Sequence, residues 1–391
     1  MKLSKIGLLP RIIIAILLGA LCGMFFPEWA VRCFVTFNSV FSHFLSFLIP
    51  LIIVGLVTPA IADIGKGAGK LLLITALIAY GDTVFSGYLS YFVSTGIFPS
   101  IIDRSQAAQA VATADELQPF FTIEIPPLLD VMSALISAFV MGLGISFFES
   151  PVLKKAFGEF RDIITKTIEV ALIPILPLYI FSIFLNMSFS GQAWRILSVF
   201  VAIIGVIFVM HILLLLLQYC VAGAIAGRNP FKALYAMLPA YFTALGTSSS
   251  AATIPVTLRQ VKKNGVSDGI AGFVVPLCAT IHLSGSAMKI TSCAVALLIM
   301  QGGVIDIAQF TGFILMLGVM MVAAPGVPGG AIMAALGVMQ SILGFTPEQQ
   351  AVMIALYITM DSFGTACNVT GDGAIALVVD RIYSKKAEAV S

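Results

Sequence analysis

Residues 247–253 read Thr-Ser-Ser-Ser-Ala-Ala-Thr, and residues 325–330 read Pro-Gly-Val-Pro-Gly-Gly. Each run of small residues interrupts a long apolar stretch. Non-helical backbone at membrane depth is tolerated only where protein covers it or where it lines a cavity. Two matching interruptions therefore predict two re-entrant hairpins and point to a site for a transported solute.

The composition predicts a chain that lives in a lipid bilayer. Apolar residues make up 59% and charged residues 10% of its 391 residues, and the mean hydropathy is +1.06, which excludes an ordinary soluble protein. The net charge of +2 is spread through loops, so no nucleic-acid partner is expected. The six cysteines have no paired spacing, so neither a disulfide framework nor a metal site is predicted. No cofactor motif occurs.

Apolar runs of about twenty residues, the length that spans a bilayer, predict an all-α integral membrane protein with eight transmembrane helices and the two hairpins. The helices are predicted near 9–27, 34–62, 69–97, 127–148, 165–188, 192–226, 268–301 and 348–382. The broken segments lie near 233–258 and 309–345. The first apolar run could be read as a cleaved signal peptide, but no small-residue cleavage site follows it, so a retained helix is expected.

Basic residues give an independent topology, because cytoplasmic loops collect Lys and Arg. With both termini in the cytoplasm, and with each broken segment returning to its own side, most of the 21 basic residues fall inside. Arg228 and Arg259 flank the first broken segment, whereas Asp306 and Glu348 flank the second. We therefore expect the first hairpin to enter from the inside of a plasma (inner) membrane and the second from the outside.

Three motifs occur in register in the second half of the chain. Residues 243–257 read Thr-Ala-Leu-Gly-Thr-Ser-Ser-Ser-Ala-Ala-Thr-Ile-Pro-Val-Thr, residues 326–332 read Gly-Val-Pro-Gly-Gly-Ala-Ile, and residues 368–372 read Asn-Val-Thr-Gly-Asp. They resemble the two hairpin tips and the final-helix signature of the dicarboxylate/amino acid:cation symporters, a family that includes glutamate transporters and neutral amino acid exchangers. The resemblance covers most of the chain.

This resemblance implies a homotrimer with inverted repeats and an elevator-type transport mechanism. The helices within 1–62 and 127–188 would form a static scaffold. The helix at 69–97 and the segment 192–382, with hairpin 1 at 233–258 and hairpin 2 at 309–345, would form the transport domain that carries the substrate.

The resemblance also implies a site for an α-amino acid. Asp361 would hold the α-amino group, and a buried carboxylate in a membrane helix is a functional candidate by itself. The alternative for Asp361 is an ion pair within the helix bundle. Asn368, two turns along the same face, would bind the α-carboxylate with Ser248 and Ser250, whose alternative is an ordinary solvated turn. The remaining residues expected to contact substrate are Thr365, Gly364, Val327 and Gly329.

The residue at position 364 bears on the charge of the substrate. Family members with acidic substrates carry an arginine there, whose planar fork grips a carboxylate. This chain has Gly364, and no other arginine in the span replaces the missing one. A second carboxylate would enter a low-dielectric site without a counter-charge, which is costly. We therefore expect a neutral α-amino acid, with a dicarboxylate as the alternative.

The cation sites of the family are expected to be altered. Asp372 matches a sodium-ligating aspartate, and oxygen coordination suits a hard cation. Where the family reads Asn-Met-Asp-Gly-Thr, residues 282–286 read His-Leu-Ser-Gly-Ser, so at least one sodium site is expected to be lost. The coupling ion is predicted to be Na⁺ or H⁺. The residues expected to hold or couple it are Asp372, Asn368, His282, Ser284, Ser286, Tyr80 and Thr83.

Two basic side chains within the spans leave alternatives open. Lys289 is predicted to pair with Asp82 and to replace the missing ion, since intramembrane charges usually pair; otherwise it snorkels or faces water in a gate. His282 either titrates near neutral pH and couples transport to protons, or stays neutral and hydrogen-bonded in the bundle. A proton-coupled or ion-independent exchanger is therefore an alternative to a sodium symporter.

Two other classes of membrane protein fit less well. Residues 370–372, Thr-Gly-Asp, echo an aspartyl protease motif, but Asp361 and Asp372 on one helix would lie about 16 Å apart at 1.5 Å per residue, too far to share one water. A channel filter needs a repeated ring of ligands, whereas the resemblance implies one asymmetric site per subunit. The chain is therefore not expected to be an enzyme.

Overall fold

The computed structural model describes residues 7–64, 70–102, 117–191, 193–324 and 328–388. The regular structure in these residues is helical. A π-helical turn, Ile168–Leu172, joins the helices Pro151–Thr167 and Ile173–Phe189. In chain order the α-helices are α1 (Leu8–Cys22), α2 (Glu28–Ile64), α3 (Lys70–Ile101), α4 (Val131–Phe147), α5 (Pro151–Thr167), α6 (Ile173–Phe189), α7 (Ala193–Ala226), α8 (Pro230–Thr247), α9 (Ser250–Lys263), α10 (Asp268–Ile281), α11 (Ser284–Met300), α12 (Ile307–Ala323), α13 (Gly330–Leu343), α14 (Pro347–Thr359) and α15 (Asp361–Glu388).

Several of these helices are suited to a bilayer. Leu77 and Val201 are among the large apolar side chains that remain exposed, as expected where lipid covers a helix. The bent pair α14–α15 makes a sixth candidate span when it is counted as one, and α1, α4, α12 and α13 are shorter apolar helices. The chain is thus a helical integral membrane protein, and the number of eight transmembrane helices stays a prediction. Five segments among the described residues are long and apolar enough to cross: Glu28–Ala62, Lys70–Ile101, Pro151–Phe189, Val199–Ala226 and Asp268–Met300.

Helix packing gives two sets of close neighbours. In one, α1 packs on α6, and α2 packs on α4 and α5. A Cβ added to Gly19 of α1 would lie 2.4 Å from the Phe181 carbonyl oxygen of α6, so glycine allows these two backbones to touch. In the other set, α3 packs on α11, and α15 packs on α7 and α8. The assignment of these sets to a static scaffold and a moving transport domain stays a prediction.

Two pairs of consecutive helices form helical hairpins. α8 and α9 pack together and join at Ser248, which turns the chain with a left-handed φ of 50°. α12 and α13 form the second pair, and Gly329, with φ of 76°, precedes α13. The two interruptions are therefore present at the predicted places, although the first pair extends beyond the predicted limits of 233–258. Their re-entry into the membrane stays a prediction.

Two helices that were predicted to be continuous are broken. The segment 268–301 is interrupted at His282 and Leu283, between α10 and α11. The segment 348–382 bends by 63° at Met360, between α14 and α15. Neither break contains a proline, and the apolar composition continues across both. The sequence therefore gave no local sign of either break. Polar contacts made by the residues beside each break hold these bends, as described below.

Some predicted helix limits were wrong. The helix expected to begin at 165 begins at Pro151, after the N-cap Ser150, because the charged residues before 165 lie on the exposed side of an amphipathic helix instead of in a loop. α2 begins at Glu28 instead of 34. α3 continues to Ile101 instead of ending at 97. Long hydrophobic cores were recognised, whereas polar helix ends were not.

Candidate functional site

The tip of the first hairpin lies against the start of the last helix. α8 ends at Thr247, and the Ser249 side chain caps α9 by accepting a hydrogen bond from the Ala252 amide, as an N-cap serine does. Between them, the Ser248 hydroxyl lies 2.8 Å from the Ser362 hydroxyl of α15. The run of small polar residues therefore joins the hairpin to the broken final helix.

Asp361, the first residue of α15, lies under the tip of the second hairpin. One of its carboxylate oxygens accepts a hydrogen bond from the Gly329 amide at 3.2 Å, and the other lies 3.4 Å from the Lys289 ammonium. Its side chain is 10% exposed. A carboxylate in this position needs partners, because the desolvation of an unpaired buried ion costs several kcal/mol. Both oxygens have one.

Lys289 is fully buried and is surrounded by groups that suit a cation. Besides Asp361, its ammonium donates to the Met360 carbonyl at 3.3 Å and lies 3.7 Å from the centre of the Tyr357 ring, in a cation–π contact. A Cβ on Gly364 would be 2.5 Å from the lysine nitrogen. The missing side chain at 364 therefore leaves the space that Lys289 fills.

The predicted pairing of Lys289 with Asp82 was wrong. The two residues lie on neighbouring helices, but the lysine points toward the break before α15, where it meets Asp361. Asp82 instead contacts the His282 ring at 2.7 Å. The sequence shows which charged residues lie in the membrane helices. It does not show which of them pair, because the pairing depends on how α10 and α11 are oriented on either side of the break.

Asn368 belongs to a hydrogen-bond network that links α15 to α11 and α14. Its side-chain oxygen accepts from the Gly285 amide at 2.8 Å, and its amide nitrogen donates to the Ser286 hydroxyl at 3.2 Å. That hydroxyl lies 3.0 Å from the Tyr357 hydroxyl. The Thr365 hydroxyl donates to the carbonyl of its own helix at Asp361. Sequence reasoning missed Tyr357 and Ser362, because each is unremarkable within its own apolar or small-residue segment.

A cavity of about 400 Å³, its open mouth included, lies where these elements meet. Both hairpins contribute to it, together with the two broken helices. Val327, also expected at this site, lies outside the described residues. The lining residues are Ser248, Ser250, Ala279, Thr280, Leu283, Ser286, Ala324, Ala331, Tyr357, Asp361, Thr365 and Asn368.

A second polar cluster surrounds His282 at the break between α10 and α11. One ring nitrogen, Nδ1, lies 2.8 Å from an oxygen of Asp372, and the other, Nε2, lies 2.7 Å from an oxygen of Asp82. The side-chain amide of Gln218 donates to the same Asp82 oxygen at 2.6 Å and to the Ser284 hydroxyl at 3.1 Å. Four helices thus meet in one buried network.

The structure does not bring the two expected hydroxyl ligands of α3 into this cluster. The Tyr80 hydroxyl donates to the Leu315 carbonyl at 3.2 Å, and the Thr83 hydroxyl donates to the Ala79 carbonyl one turn earlier. Their role as cation ligands stays a prediction.

Comparison with known proteins agrees with these features. The model of the sodium:dicarboxylate symporter family matches residues 8–382. The chain belongs to this family. The family resemblance inferred from the three motifs is therefore confirmed, and the family is one of membrane transporters.

Individual relatives of this family member are distant. A serine/threonine transporter, SstT, from Acinetobacter baylyi (strain ATCC 33305 / BD413 / ADP1) is 25% identical over 395 residues, which cover 97% of this chain and 98% of that protein. Excitatory amino acid transporter 3 of Mus musculus is 28% identical over 267 residues, 66% of this chain and 50% of that protein. Excitatory amino acid transporter 4 of Mus musculus is 32% identical over 162 residues, 41% and 29% of the two chains. The matches thus span half or less of these excitatory transporters.

Proposed function

We propose that this symporter-family member is a secondary active transporter that moves a neutral α-amino acid across the membrane. One observation carries the proposal: Asp361, at a helix break, contacts the tip of one hairpin through Gly329, and its neighbour Ser362 contacts the tip of the other through Ser248. A solute bound beside Asp361 would touch both tips, so the movement of either tip would open the site to one side. Such an arrangement is suited to alternating access.

The charges around the cavity favour a zwitterion. Asp361 and Lys289 form a pair whose charges cancel, so the site offers no surplus charge to a second substrate carboxylate. An amino acid could place its ammonium group beside Asp361, in the position that the Lys289 ammonium holds. Its carboxylate would find donors in the Asn368 amide and in the free amides at the start of α9, where helix dipoles favour negative charge. The fit is that of an amino acid with a neutral side chain.

The mechanism we infer is of the elevator type, in a homotrimer in the plasma (inner) membrane with both termini cytoplasmic. The set of helices around α3, α7, α11 and α15 would carry the substrate, and the set around α1, α2, α4 and α6 would stay fixed. The separate packing of these two sets supports the proposal. The names of relatives, a serine/threonine transporter among them, agree with a small amino acid as substrate.

A dicarboxylate is the second candidate, and the position of Lys289 favours it. Its ammonium lies beside Gly364, near where an arginine at that position would begin. If Lys289 turned from Asp361 to a substrate carboxylate, the site could bind a dicarboxylate. The printed name of the family includes dicarboxylates. Against this candidate, the turn would leave Asp361 without its cation, which is costly for a buried charge.

Uptake into proteoliposomes tests the proposal. The purified full-length chain would be assayed with radiolabelled neutral amino acids, acidic amino acids and dicarboxylates, each under a sodium gradient, a proton gradient or neither. We expect saturable uptake of a neutral amino acid, accelerated by the same amino acid on the far side of the membrane. Asp361→Asn should abolish it, and Asp162→Asn, an exposed residue on α5, is the matched control.

Other outcomes would contradict the proposal in different ways. Uptake of dicarboxylates alone would establish the second candidate. A linear, non-saturating flux without acceleration from the far side would indicate a channel. An aspartyl protease dyad of Asp361 and Asp372 does not fit, because the two residues lie about three turns apart on one helix and contact different basic residues.

A further inference from the structure

The imidazole ring of His282 lies between two carboxylates. Its two nitrogens are 2.8 Å and 2.7 Å from oxygens of Asp372 and Asp82. The His282 side chain has no exposed surface, the Asp372 side chain has 2% and the Asp82 side chain has 17%. The ring therefore occupies the point where the negative charges of two buried or half-buried groups converge.

The chemistry of these three groups defines the charge of the ring. An ionised carboxylate only accepts hydrogen bonds, so each ring nitrogen facing one must carry a hydrogen. With both carboxylates ionised, both nitrogens donate, and the ring is an imidazolium cation. One positive charge then lies at the centre of the cluster, in charge-assisted hydrogen bonds of ordinary length.

The protein is shaped around this ring. A Cβ on Gly371 would come within 2.8 Å of the His282 ring carbon Cε1 and 2.9 Å of the Gln218 side-chain oxygen. Only a residue without a side chain allows the ring to lie this close to α15. The Gln218 oxygen itself is buried and has no hydrogen-bond partner among the described residues. If a smaller residue replaced His282, several oxygen atoms of the cluster would line the volume that the ring now fills.

A sodium ion, which the family name implies, does not fit beside the ring. Such a hard cation requires several oxygen ligands, and in this cluster the ring nitrogens of His282 already lie 2.8 Å and 2.7 Å from the facing oxygens of Asp372 and Asp82. A second cation at the same carboxylate pair would also be repelled by the imidazolium at close range in a site of low dielectric. Removal of the ring would leave oxygens of Asp372, Asp82, Ser284 and Gln218 around the vacated volume.

We propose that His282 is a built-in cation that replaces a bound sodium ion at the Asp82–Asp372 pair, so that this carboxylate pair does not take sodium. The net charge of the two carboxylates and the ring would then be the same with and without sodium. The consequence for uptake rests on the proposed transport function, whereas the consequence for ion binding does not.

Ion binding is tested first, without any transport substrate. The purified full-length protein would be heated in detergent in sodium chloride and, at equal ionic strength, in choline chloride. A ligand that binds only the folded state raises the unfolding temperature. We expect equal midpoints in both salts for the wild type, and a midpoint several degrees higher in sodium for His282→Asn, which vacates the ring and adds an amide oxygen.

Two further variants separate charge from mere loss of the ring. His282→Lys restores a positive charge near the carboxylates, so it should again be indifferent to sodium. His43→Asn makes the same substitution on α2, where the ring contacts only the Ser39 carbonyl of its own helix among the described residues, and should behave as the wild type. Stabilisation specific to sodium in His282→Asn alone would support the proposal.

Uptake provides the second reading. The ratio of initial rates in sodium and choline media should be near one for the wild type and about tenfold or more for His282→Asn, a factor that corresponds to about 1.4 kcal/mol. If no solute is taken up in any medium while the sodium effect on stability of His282→Asn persists, the proposed function fails and this inference stands. Conversely, if the wild type takes up a neutral amino acid but is stabilised by sodium to the same extent as His282→Asn, the proposed function stands and this inference fails.

Four results would overturn the inference. The first is stabilisation of the wild type by sodium to the same extent as His282→Asn. The second is a folded His282→Asn protein that ignores sodium. The third applies even if His282→Asn does not fold: stabilisation of Asp162→Asn or His43→Asn by sodium would show that the effect is unrelated to this cluster. The fourth is a sodium-stabilised His282→Lys protein, which would show that the charge at position 282 is irrelevant.

Discussion

Replacement of Lys289 by methionine tests the charge balance of the candidate substrate site. The change keeps an unbranched side chain of similar length but removes the ammonium that contacts Asp361 at 3.4 Å and the Tyr357 ring at 3.7 Å. Loss of one partner of a buried ion pair costs about 3–5 kcal/mol. Because the Asp361 side chain is 10% exposed, solvent reduces the cost of leaving its charge unpaired. We therefore expect the free energy of unfolding to fall by about 3 kcal/mol.

The same variant should bind an amino acid more tightly. In the wild type, the substrate ammonium must replace Lys289 at Asp361, whereas in Lys289→Met it meets an unpaired carboxylate. A hydrogen bond to a charged group contributes about 1.5–3 kcal/mol, so the dissociation constant should fall about 10- to 100-fold. Unfolding measured with and without substrate would detect both effects, because substrate should recover most of the lost stability.

Lys262→Met is the matched control for this experiment. Lys262 pairs with Asp268 at 2.9 Å, but both side chains are largely exposed, so its loss should change stability by less than about 1 kcal/mol. A double-mutant cycle with Asp361→Asn isolates the pair itself. If Lys289→Met is as stable as the control, and the two single changes add, the proposed charge balance is wrong.

Three further changes probe the packing of the site. Gly285→Ala would bring a Cβ within 2.8 Å of the Gly364 carbonyl oxygen, so we expect a loss of about 1–3 kcal/mol from overpacking, seen as a lower unfolding midpoint. Gly329→Ala must adopt φ of 76°, which costs about 1–2 kcal/mol; uptake should fall, and unchanged uptake would mean that the second tip does not need this conformation. Ser248→Ala loses the contact with Ser362 and should increase access of a thiol reagent to Ala279→Cys, at a position that lines the cavity, whereas equal labelling rates with and without Ser248→Ala would contradict a closed tip.

Apolar run length and small-residue interruptions were enough to predict the helical membrane fold and both hairpins. They succeed because a bilayer requires each spanning segment to satisfy its own backbone hydrogen bonds, a local property that can be read from local sequence. The limits of α2 and α5 were missed where charged residues continue a helix beyond its apolar part, and the end of α3 was missed because the helix continues through Pro99. The breaks at His282 and Met360 were missed because no proline or glycine announces them.

The sequence by itself determined which chemical groups this protein carries into the membrane: one lysine and one histidine of consequence, three carboxylates at 82, 361 and 372, and a glycine at 364. Only the tertiary structure decided how these groups pair. Lys289 lies four residues beyond Gly285 on α11, and the break at His282 sets the rotation of that helix relative to α3 and α15. That rotation turns the lysine to Asp361 and leaves the ring of His282 between Asp82 and Asp372, because the helical period fixes the angles between side chains, so that the orientation of the whole helix decides what each one meets.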